Sequence, residues 1–374
     1  MSPARWLFTP GPLTTSPRVK RAMLRDVGSR DPEFLAVVEF IRERLLELVG
    51  SSRARGFEAV PIQGSGTAAV EAAIATALPF AGKLLVASNG AYGERMLEIA
   101  RVHGIPHRAL RCAEDRAVAP EAVEDALARD PAISHAAVVH CETSTGLVNP
   151  IEAIGAAVRR QRRAYLVDSM SGFGALPIDA ERAGIDFLIS SANKCLQGVP
   201  GFAFAICRRD ALLACEGRAR SLSLDLLAQW RGLERDGQFR FTPPTHALLA
   251  FAEALRELEE EGGVIARGAR YRRNQKLLVE GMAGLGFRTL LPAALQGPIV
   301  TAFLCPAHPR FDFQELYAGL ARRGYLIYPG ALARADCFRI GTAGDLCEAN
   351  IHGLLATLRA VLDEQQIRLG AAPR

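Results

Sequence analysis

Between residues 58 and 208, short apolar runs alternate with stretches in which apolar side chains recur at helical spacing. The runs that predict strands are 57–62, 83–87, 136–140, 165–168, 187–190 and 201–207. The stretches that predict helices are 67–78, 93–102, 120–128 and 151–162. Strands alternating with helices are typical of a mostly parallel, doubly wound sheet with helices on both faces. The pattern therefore predicts an α/β fold whose ligands bind beyond the carboxyl ends of the strands.

The pattern changes after Pro243 and Pro244, where long helices and shorter strands follow. The predicted helices are 246–261, 265–283, 313–323 and 348–365, and the predicted strands are 287–290, 300–305, 325–328 and 338–341. The first 15 residues are rich in Pro, Gly and Thr and predict an extended arm. At 374 residues the chain is long enough for two domains. We expect an arm at 1–15, a large α/β domain at 16–245 and a smaller α+β domain at 246–374.

Composition narrows the class of protein. The chain is 49% hydrophobic and 23% charged, which is typical of a globular protein with a large core. Its net charge of +5 is small, and no basic face with interleaved aromatic residues is present, so nucleic-acid binding is not expected. The eight cysteines have no zinc-like spacing, which argues against a metal site and favours a reducing compartment. No signal peptide and no apolar segment of about 20 residues is present, so we expect a cytoplasmic protein without a membrane span.

An aspartate and a lysine follow two neighbouring predicted strands. Asp168 ends the apolar run that begins at Tyr165, and Lys194 comes shortly after the run 187–190. Because polar groups beyond such strands converge on one crevice, the two side chains can meet there. Pyridoxal phosphate needs both groups, a lysine for its Schiff base and a carboxylate for its pyridinium nitrogen. A capping aspartate and an unrelated surface lysine explain this pair, taken alone, equally well.

The turn Gly64-Ser65-Gly66-Thr67 lies between a predicted strand and a predicted helix. Such a turn offers free backbone N–H groups and the positive end of the helix dipole to an anion. Ser65 and Thr67 add hydroxyl donors, and the two glycines let a phosphate approach the backbone. The spacing is neither that of a Walker loop nor that of a complete dinucleotide fingerprint. A phosphate site and an ordinary turn with a serine cap both remain open.

Three other residues suggest contact with a planar, anionic ligand. Ser144 lies in the polar run 140–146, whose hydroxyls can bind a ring oxygen or simply form a turn. Tyr92 follows a predicted strand and can stack on a flat ring or pack under a loop. Arg339 lies within the apolar run 338–341, where a buried guanidinium needs a partner. That partner is either a substrate anion or a structural acid.

The chain resembles the class V aminotransferases of fold type I over nearly its whole length. The segments that occur in the same order in that family are Thr9-Pro10-Gly11-Pro12, Ser65-Gly66-Thr67, Glu142-Thr143-Ser144-Thr145-Gly146, Asp168-Ser169, Lys194 and Phe338-Arg339-Ile340-Gly341. Within the class, the segments 7–15, 193–202, 242–246 and 328–330 resemble members that use 2-aminoethylphosphonate as amino donor and pyruvate as acceptor.

The resemblance implies a role for each candidate residue. Lys194 is expected to hold pyridoxal 5′-phosphate and act as general acid–base, and Asp168 to keep the ring nitrogen protonated. The other expected cofactor contacts are Ser65, Gly66 and Thr67 at the phosphate, Tyr92 on the ring, Ser144 at the ring hydroxyl, and Thr242 at the phosphate of the neighbouring subunit's cofactor. Arg339, Gly11 and Arg30 are expected at the substrate, with Arg339 binding the pyruvate carboxylate and the phosphonate. The shared sites imply a homodimer.

Two departures from the family pattern affect the end of the site that meets the substrate's tail. Arg30 lies in a segment where many 2-aminoethylphosphonate members have a tryptophan, and it resembles the alanine–glyoxylate and serine–pyruvate members instead. Ala331 and Leu332 stand where a lysine is common. The alternatives are therefore the same chemistry with alanine and glyoxylate or serine and pyruvate, a cysteine desulfurase-like lyase, and a non-enzymatic binding module. The lyase needs a mobile cysteine, for which Cys337 is the nearest candidate.

Overall fold

The computed structural model of the protein describes residues 5–330 and 336–370. The strands, in chain order, are β1 (Trp6–Leu7), β2 (Phe57–Gln63), β3 (Lys83–Ser88), β4 (His107–Arg111), β5 (Ile133–Val139), β6 (Cys141–Glu142), β7 (Leu147–Val148), β8 (Ala164–Asp168), β9 (Phe187–Ser191), β10 (Phe202–Arg208), β11 (Val300–Leu304), β12 (Tyr325–Leu326), β13 (Tyr328–Pro329) and β14 (Cys337–Gly341). The helices are α1 (Pro17–Arg21), α2 (Pro32–Glu47), α3 (Gly66–Ala77), α4 (Ala91–Val102), α5 (Pro120–Arg129), α6 (Ile151–Arg160), α7 (Arg209–Leu213), α8 (Leu226–Asp236), α9 (Thr245–Glu260), α10 (Gly263–Gly284), α11 (Phe313–Arg322) and α12 (Glu348–Glu364).

Within the described residues, the largest sheet has seven strands in the order β2-β10-β9-β8-β5-β3-β4. Strand β10 runs antiparallel to both of its neighbours, and the other pairings are parallel. Alternate residues of β8 enter different cores, since Tyr165 and Val167 pack on one face and Leu166 packs on the other. The predicted doubly wound, mostly parallel α/β sheet is confirmed.

The predicted strands of this sheet are all present, and their ends differ from the prediction by a few residues. The largest difference is in β5, which begins at Ile133 instead of 136. Strand β4 was not predicted, because its sequence His-Arg-Ala-Leu-Arg is polar and lies partly exposed at the sheet edge. An edge strand has one neighbour and little core contact, so it lacks the apolar pattern that marks the others.

A smaller sheet, β11-β14-β13, forms the second layer of structure with helices α10, α11 and α12. The predicted strand 287–290 is wrong, since only a single bridge joins Thr289 to Phe303 there. The predicted strand 325–328 divides into two, because Tyr325–Leu326 pairs with β1 whereas Tyr328–Pro329 pairs with β14. The N-terminal segment thus adds a parallel strand to this part of the molecule, and Phe8 is buried in its core.

Helix α9 packs on the large sheet although the sequence assigned it to the small domain. Its residues Leu248, Phe251 and Leu255 lie in the same apolar core as Phe202, and the rings of Phe202 and Phe251 meet edge to face at 5.0 Å. We therefore propose a domain boundary at the break between α9 and α10 instead of at 245. No helix in the described ranges combines the length and the apolar character that crossing a bilayer requires.

Candidate active site

The carboxyl ends of β8, β9, β3 and the turn after β2 meet at one edge of the large sheet. A cleft at this edge is lined by Gly66, Thr67, Tyr92, Arg95 and Asp168, together with Val70 and Met170. Four of these residues were predicted at the cofactor from the sequence. Arg95 was not, because nothing in its local sequence separates it from other helix-surface arginines.

Lys194 lies in the turn that follows β9, and its amine meets the N-terminal segment. The Nζ donates a hydrogen bond to the Pro10 carbonyl at 2.9 Å. Gly11 has a φ of +138°, and a Cβ built there would overlap the lysine Nζ, so only glycine fits this approach. Burial lowers the pKa of Lys194, the positive charges of Arg339 and Arg95 lower it further, and Asp168 opposes them. The amine is therefore easier to deprotonate than an ordinary lysine.

Asp168 is the last residue of β8, and its carboxyl group is buried. Its Oδ1 accepts a hydrogen bond from the Met170 N–H at 2.8 Å. Burial raises the pKa of Asp168 to about 6, the charge of Glu142 adds to this, and the Met170 N–H, Lys194 and Arg95 oppose it. No residue in the described ranges forms an ion pair with this carboxylate. A protonated heterocyclic nitrogen would supply the missing positive charge, so the pyridinium of pyridoxal phosphate fits this site.

The turn after β2 has the features of an anion site. Ser65 is the N-cap of α3, and its Oγ accepts a hydrogen bond from the Ala68 N–H at 3.3 Å. Gly64 has a φ of +117°, which favours glycine, whereas a Cβ on Gly66 would require the Met170 side chain to move. Gly64 and Ser65 are exposed and Gly66 and Thr67 are half-buried, so the N–H groups of Gly66 and Thr67, at the start of a 12-residue helix, can face an anion such as the cofactor phosphate.

A buried carboxylate that the sequence analysis did not assign connects two of the predicted cofactor contacts. Glu142 is fully buried, and its Oε2 accepts a hydrogen bond from the Tyr92 N–H at 3.1 Å. Its Oε1 accepts from the Ser144 N–H at 3.1 Å and from the Ser144 Oγ at 2.6 Å. Desolvation raises the pKa of Glu142, and these donors oppose the shift. In the sequence, the only sign of this role was the position of Glu142, an acid shortly after a buried strand. The contact of Ser144 with a ring hydroxyl stays a prediction.

Arg339 joins the small sheet to the large one at the site. It is 7% exposed, its Nε donates to the Pro329 carbonyl and its Nη1 to the Thr143 carbonyl, both at 3.0 Å. Among the residues that the structure describes, no carboxylate pairs with it. A buried guanidinium held by two neutral carbonyls retains its charge and its remaining donors for an anion. The other expectation, a structural acid that pairs with Arg339, is not met by any described residue.

Arg30 and Thr242 do not line the cleft that contains Asp168. Both are exposed and line a surface cleft of about 380 Å³ together with Phe241. The Gln63 Nε2 donates to the Thr242 carbonyl at 3.3 Å, so this surface adjoins the turn 64–67, which directly follows Gln63. Within one chain the structure therefore does not bring either residue to Lys194. Ala331 and Leu332, the second departure from the family pattern, lie outside the described residues.

The neighbouring acids of Arg30 have other partners. Glu33 forms an ion pair with Arg25, and the Asp31 Oδ2 accepts from the Gly28 N–H at 2.7 Å. The charge of Arg30 helps to lower the pKa of Asp236, after the larger effects of that residue's own hydrogen bonds to Arg235 and Gln238. No ion pair of Arg30 is present in the described ranges, so its guanidinium has no structural partner of the kind that its sequence neighbours could supply.

A mostly parallel sheet with a buried aspartate and a desolvated lysine at its carboxyl edge, beside a glycine-containing turn that opens a helix, is the arrangement of a pyridoxal-phosphate-dependent enzyme of fold type I. The chain belongs to the class V aminotransferases, because the family model described as "Aminotransferase class-V" matches residues 18–324. The predicted family, fold and cofactor are thereby confirmed.

Relatives of known name cover almost the whole chain. It is 54% identical over 350 residues to a 2-aminoethylphosphonate–pyruvate transaminase of Syntrophobacter fumaroxidans, covering 93% of this chain and 94% of the relative. It is 52% identical over 358 residues to a protein of the same name from Salmonella paratyphi B, covering 95% and 97%. Among solved structures, a ureidoglycine–glyoxylate aminotransferase from Bacillus subtilis matches with a TM-score of 0.90 at 29% identity, covering 99% of this chain and 96% of that one. An alanine–glyoxylate aminotransferase from Nostoc matches at 0.87 and 27%, covering 97% and 96%.

Proposed function

We propose that the protein transfers the amino group of 2-aminoethylphosphonate to pyruvate and so forms phosphonoacetaldehyde and alanine. The choice of donor is supported by relatives of that name at 51–54% identity over nearly full length. The structural observation that carries the proposal is Arg339, a buried guanidinium without a carboxylate partner in the described residues. Both proposed substrates are anions: the carboxylate of pyruvate is bonded to the reacting carbon, and the phosphonate of 2-aminoethylphosphonate is attached one carbon further away. One guanidinium near the reacting carbon can therefore serve both half-reactions.

A planar guanidinium suits both substrates because it offers two parallel donors to a carboxylate or to a phosphonate. Arg339 is near enough to Lys194 to lower the pKa of its amine. The backbone carbonyls of Pro329 and Thr143 hold the side chain in one orientation. An anion bound there would direct the reacting carbon of a short substrate toward Lys194.

The chain's own groups divide the proton transfers between them. When bound, pyridoxal phosphate supplies a carbonyl for reaction with an amine and a ring that takes up the electron pair of the deprotonated carbon. Because its pKa is lowered, the Lys194 amine loses its proton more readily than an ordinary lysine, which suits a group that would accept a proton from the substrate carbon and return it to a carbon of the cofactor. Asp168 accepts a hydrogen bond from the Met170 N–H at one oxygen, and its carboxylate would hold the proton of the ring nitrogen when the cofactor is bound.

The proposal includes a homodimer in which Thr242 and Arg30 reach the neighbouring subunit's site. Phe241, which lines the same cleft as Thr242, is 44% exposed, and Leu222, whose carbonyl accepts a hydrogen bond from Arg240 of that cleft, is 75% exposed. Exposed apolar groups beside a predicted shared site favour contact with a second copy of the chain. A cytoplasmic location also belongs to the proposal, supported by eight cysteines that form no disulfide.

A panel of amino donors tests the proposal. Alanine formation from pyruvate is measured with 2-aminoethylphosphonate, serine and cysteine, and alanine itself is tested against glyoxylate. We expect the highest kcat/KM for 2-aminoethylphosphonate. A higher value for serine, or for alanine with glyoxylate, would identify the alternative donor and overturn the proposed one. Release of sulfide from cysteine would favour the lyase, but its candidate nucleophile Cys337 is buried in the paired strand β14.

Two variants locate the anion-binding residues within the same assay. Arg339→Ala should weaken the use of both 2-aminoethylphosphonate and pyruvate by at least about tenfold, since a charge-assisted pair is worth about 1.5–3 kcal/mol. Arg339→Lys should retain intermediate activity because it keeps the charge and loses the planar fork. Arg30→Ala should weaken chiefly the phosphonate half-reaction. Unchanged 2-aminoethylphosphonate kinetics in Arg30→Ala would remove this residue from the substrate site.

A further inference from the structure

Arg95 projects from the first turns of α4 toward two residues of the cofactor site. Its guanidinium carbon lies 4.8 Å from the centre of the Tyr92 ring. Its Nη1 donates a hydrogen bond to the Thr67 Oγ1 at 3.3 Å. It also lines the cleft that contains Asp168. One arginine thus contacts the expected ring-stacking residue and the expected phosphate turn at the same time.

The positive charge of Arg95 is not neutralised by a neighbouring acid. Its sequence neighbour Glu94 is bonded to Arg111, with 2.9 Å between Oε2 and Nη2, and to the Ser88 hydroxyl. No carboxylate pairs with Arg95 in the described part of the chain. Its charge instead acts on the site, because it helps to lower the pKa of both Lys194 and Asp168. A guanidinium has five N–H donors, and the contact with Thr67 uses one of them.

We propose that Arg95 is a further cofactor-binding residue, which donates to the phosphate of pyridoxal phosphate beside the Ser65–Thr67 turn. The turn itself offers only neutral donors, namely backbone N–H groups and two hydroxyls. A phosphate dianion gains most from a planar cation with parallel donors. The bond to Thr67 and the stacking on Tyr92 hold that cation at the edge of the turn, which is where the phosphate is needed.

The inference rests on the cofactor of the family and not on the identity of the amino donor. A different outcome of the donor panel therefore leaves it intact, and its own failure leaves the proposed reaction intact. Phosphonate and phosphate have the same kind of oxygen, so the substrate's phosphonate is the other anion that Arg95 could attract. The contact with Thr67 favours the cofactor phosphate, and the experiment separates the two.

The test compares two ligands that differ only in the phosphate group. The full-length protein is freed of cofactor by dialysis, and its Kd values for pyridoxal phosphate and for pyridoxal are measured by absorbance and fluorescence titration. Arg95→Gln should raise the Kd for pyridoxal phosphate about tenfold, the loss expected for one hydrogen bond to a charged group. The Kd for pyridoxal should stay unchanged. The Kd of Arg95→Lys for pyridoxal phosphate should lie between the values of the wild type and of Arg95→Gln.

Arg111→Gln is the matched control, since it removes an exposed arginine near the same helix that already has an acid partner. It should leave both Kd values at those of the wild type. The cofactor-free Arg95→Gln protein should unfold at the wild-type temperature, because the side chain is exposed. Equal weakening of both ligands would mean that Arg95 only supports the Tyr92 ring, and would overturn the proposal. An unchanged Kd for pyridoxal phosphate with a higher KM for 2-aminoethylphosphonate would overturn it in favour of the substrate.

Discussion

At the scale of single residues, the site consists of buried charges that are held by backbone groups instead of by each other. Arg339 is bonded to two carbonyls, Lys194 to the Pro10 carbonyl, and Asp168 to the Met170 N–H. Glu142 is bonded to two N–H groups and one hydroxyl. Such charges are costly to desolvate, and their cost is recovered when a ligand supplies the opposite charge. We therefore propose that the charges without a partner in the described residues are those that the cofactor and the substrate meet.

Asp168→Asn should separate function from stability. The variant should lose at least about tenfold in turnover, because a neutral amide cannot hold the pyridinium proton and a charge-assisted hydrogen bond is worth about 1.5–3 kcal/mol.

Without cofactor, however, the folded protein binds a proton at Asp168 more tightly than the unfolded chain does, since its pKa is raised from 3.8 to about 6. The wild type should therefore lose stability as pH rises from 4 to 6, by up to roughly 3 kcal/mol.

The asparagine variant lacks this titration, so the cofactor-free variant should be the more stable protein at pH 7.5 and not at pH 4. Urea unfolding of both cofactor-free proteins at the two pH values measures the difference. Equal pH dependence in the two proteins would show that Asp168 does not carry the raised pKa. Wild-type turnover in the variant would place the ring-nitrogen partner elsewhere.

At the scale of elements, the N-terminal segment and the turn after β9 approach each other at Gly11 and Lys194. Gly11→Ala should strain a backbone with a φ of +138° and push the new methyl group into the lysine amine. We expect a loss of about 1–3 kcal/mol in the free energy of unfolding together with a large fall in kcat. Urea denaturation and steady-state kinetics measure the two effects.

Gly50→Ala is the control for the backbone strain alone. Gly50 also has a positive φ, +67°, and an added Cβ there meets no atom within 4 Å. Its alanine variant should lose some stability and keep its kcat. If Gly11→Ala keeps the wild-type kcat as well, the contact with the Lys194 amine has no role in turnover.

Glu142 connects the start of α4 with the loop after β5, and Glu142→Gln tests this connection. A glutamine has one acceptor oxygen, so its amide group must face either the Tyr92 N–H or the Ser144 N–H and leave one of these donors unsatisfied. We expect a loss of about 1–3 kcal/mol in the free energy of unfolding and weaker binding of pyridoxal phosphate. Glu98 is an exposed acid on α4, and Glu98→Gln should keep a free energy of unfolding within about 0.5 kcal/mol of the wild type. Equal stability of the two variants would argue against the connection.

At the scale of the whole molecule, the proposed dimer depends on the surface around Phe241. Phe241→Glu places a charge in an apolar contact and should shift the protein toward monomers at a given concentration. Light scattering over a dilution series measures the mass, and activity should fall with the dimer because Thr242 and Arg30 are proposed to serve the neighbouring site. Val102→Glu, which changes another exposed apolar residue, should leave the mass unchanged. A monomeric wild type, or a Phe241→Glu dimer, would contradict this surface as the interface.

Local patterning was sufficient for six of the seven strands of the large sheet and for helices α3 to α6, because a strand buried on both faces is apolar along its length and its helices are amphipathic. It was insufficient where burial is one-sided or pairing is distant. The polar edge strand β4 was missed, 287–290 was predicted as a strand and forms a single bridge, and 325–328 pairs with two different sheets. In each case the pairing partner, which is remote in sequence, decides whether the segment is a strand.

The sequence by itself determined the family and the cofactor, since short motifs at strand ends occur in the order that the family has, and it predicted Lys194 and Asp168 as the two central residues. Only the tertiary structure decided how these charges are balanced. Glu142 under Tyr92, Arg95 on the Tyr92 ring, the Pro10 carbonyl on Lys194 and the Thr143 carbonyl on Arg339 join residues that no local pattern relates. The physical reason is that hydrogen bonds and electrostatic interactions depend on distance in space, whereas periodicity reports only on neighbours along the chain.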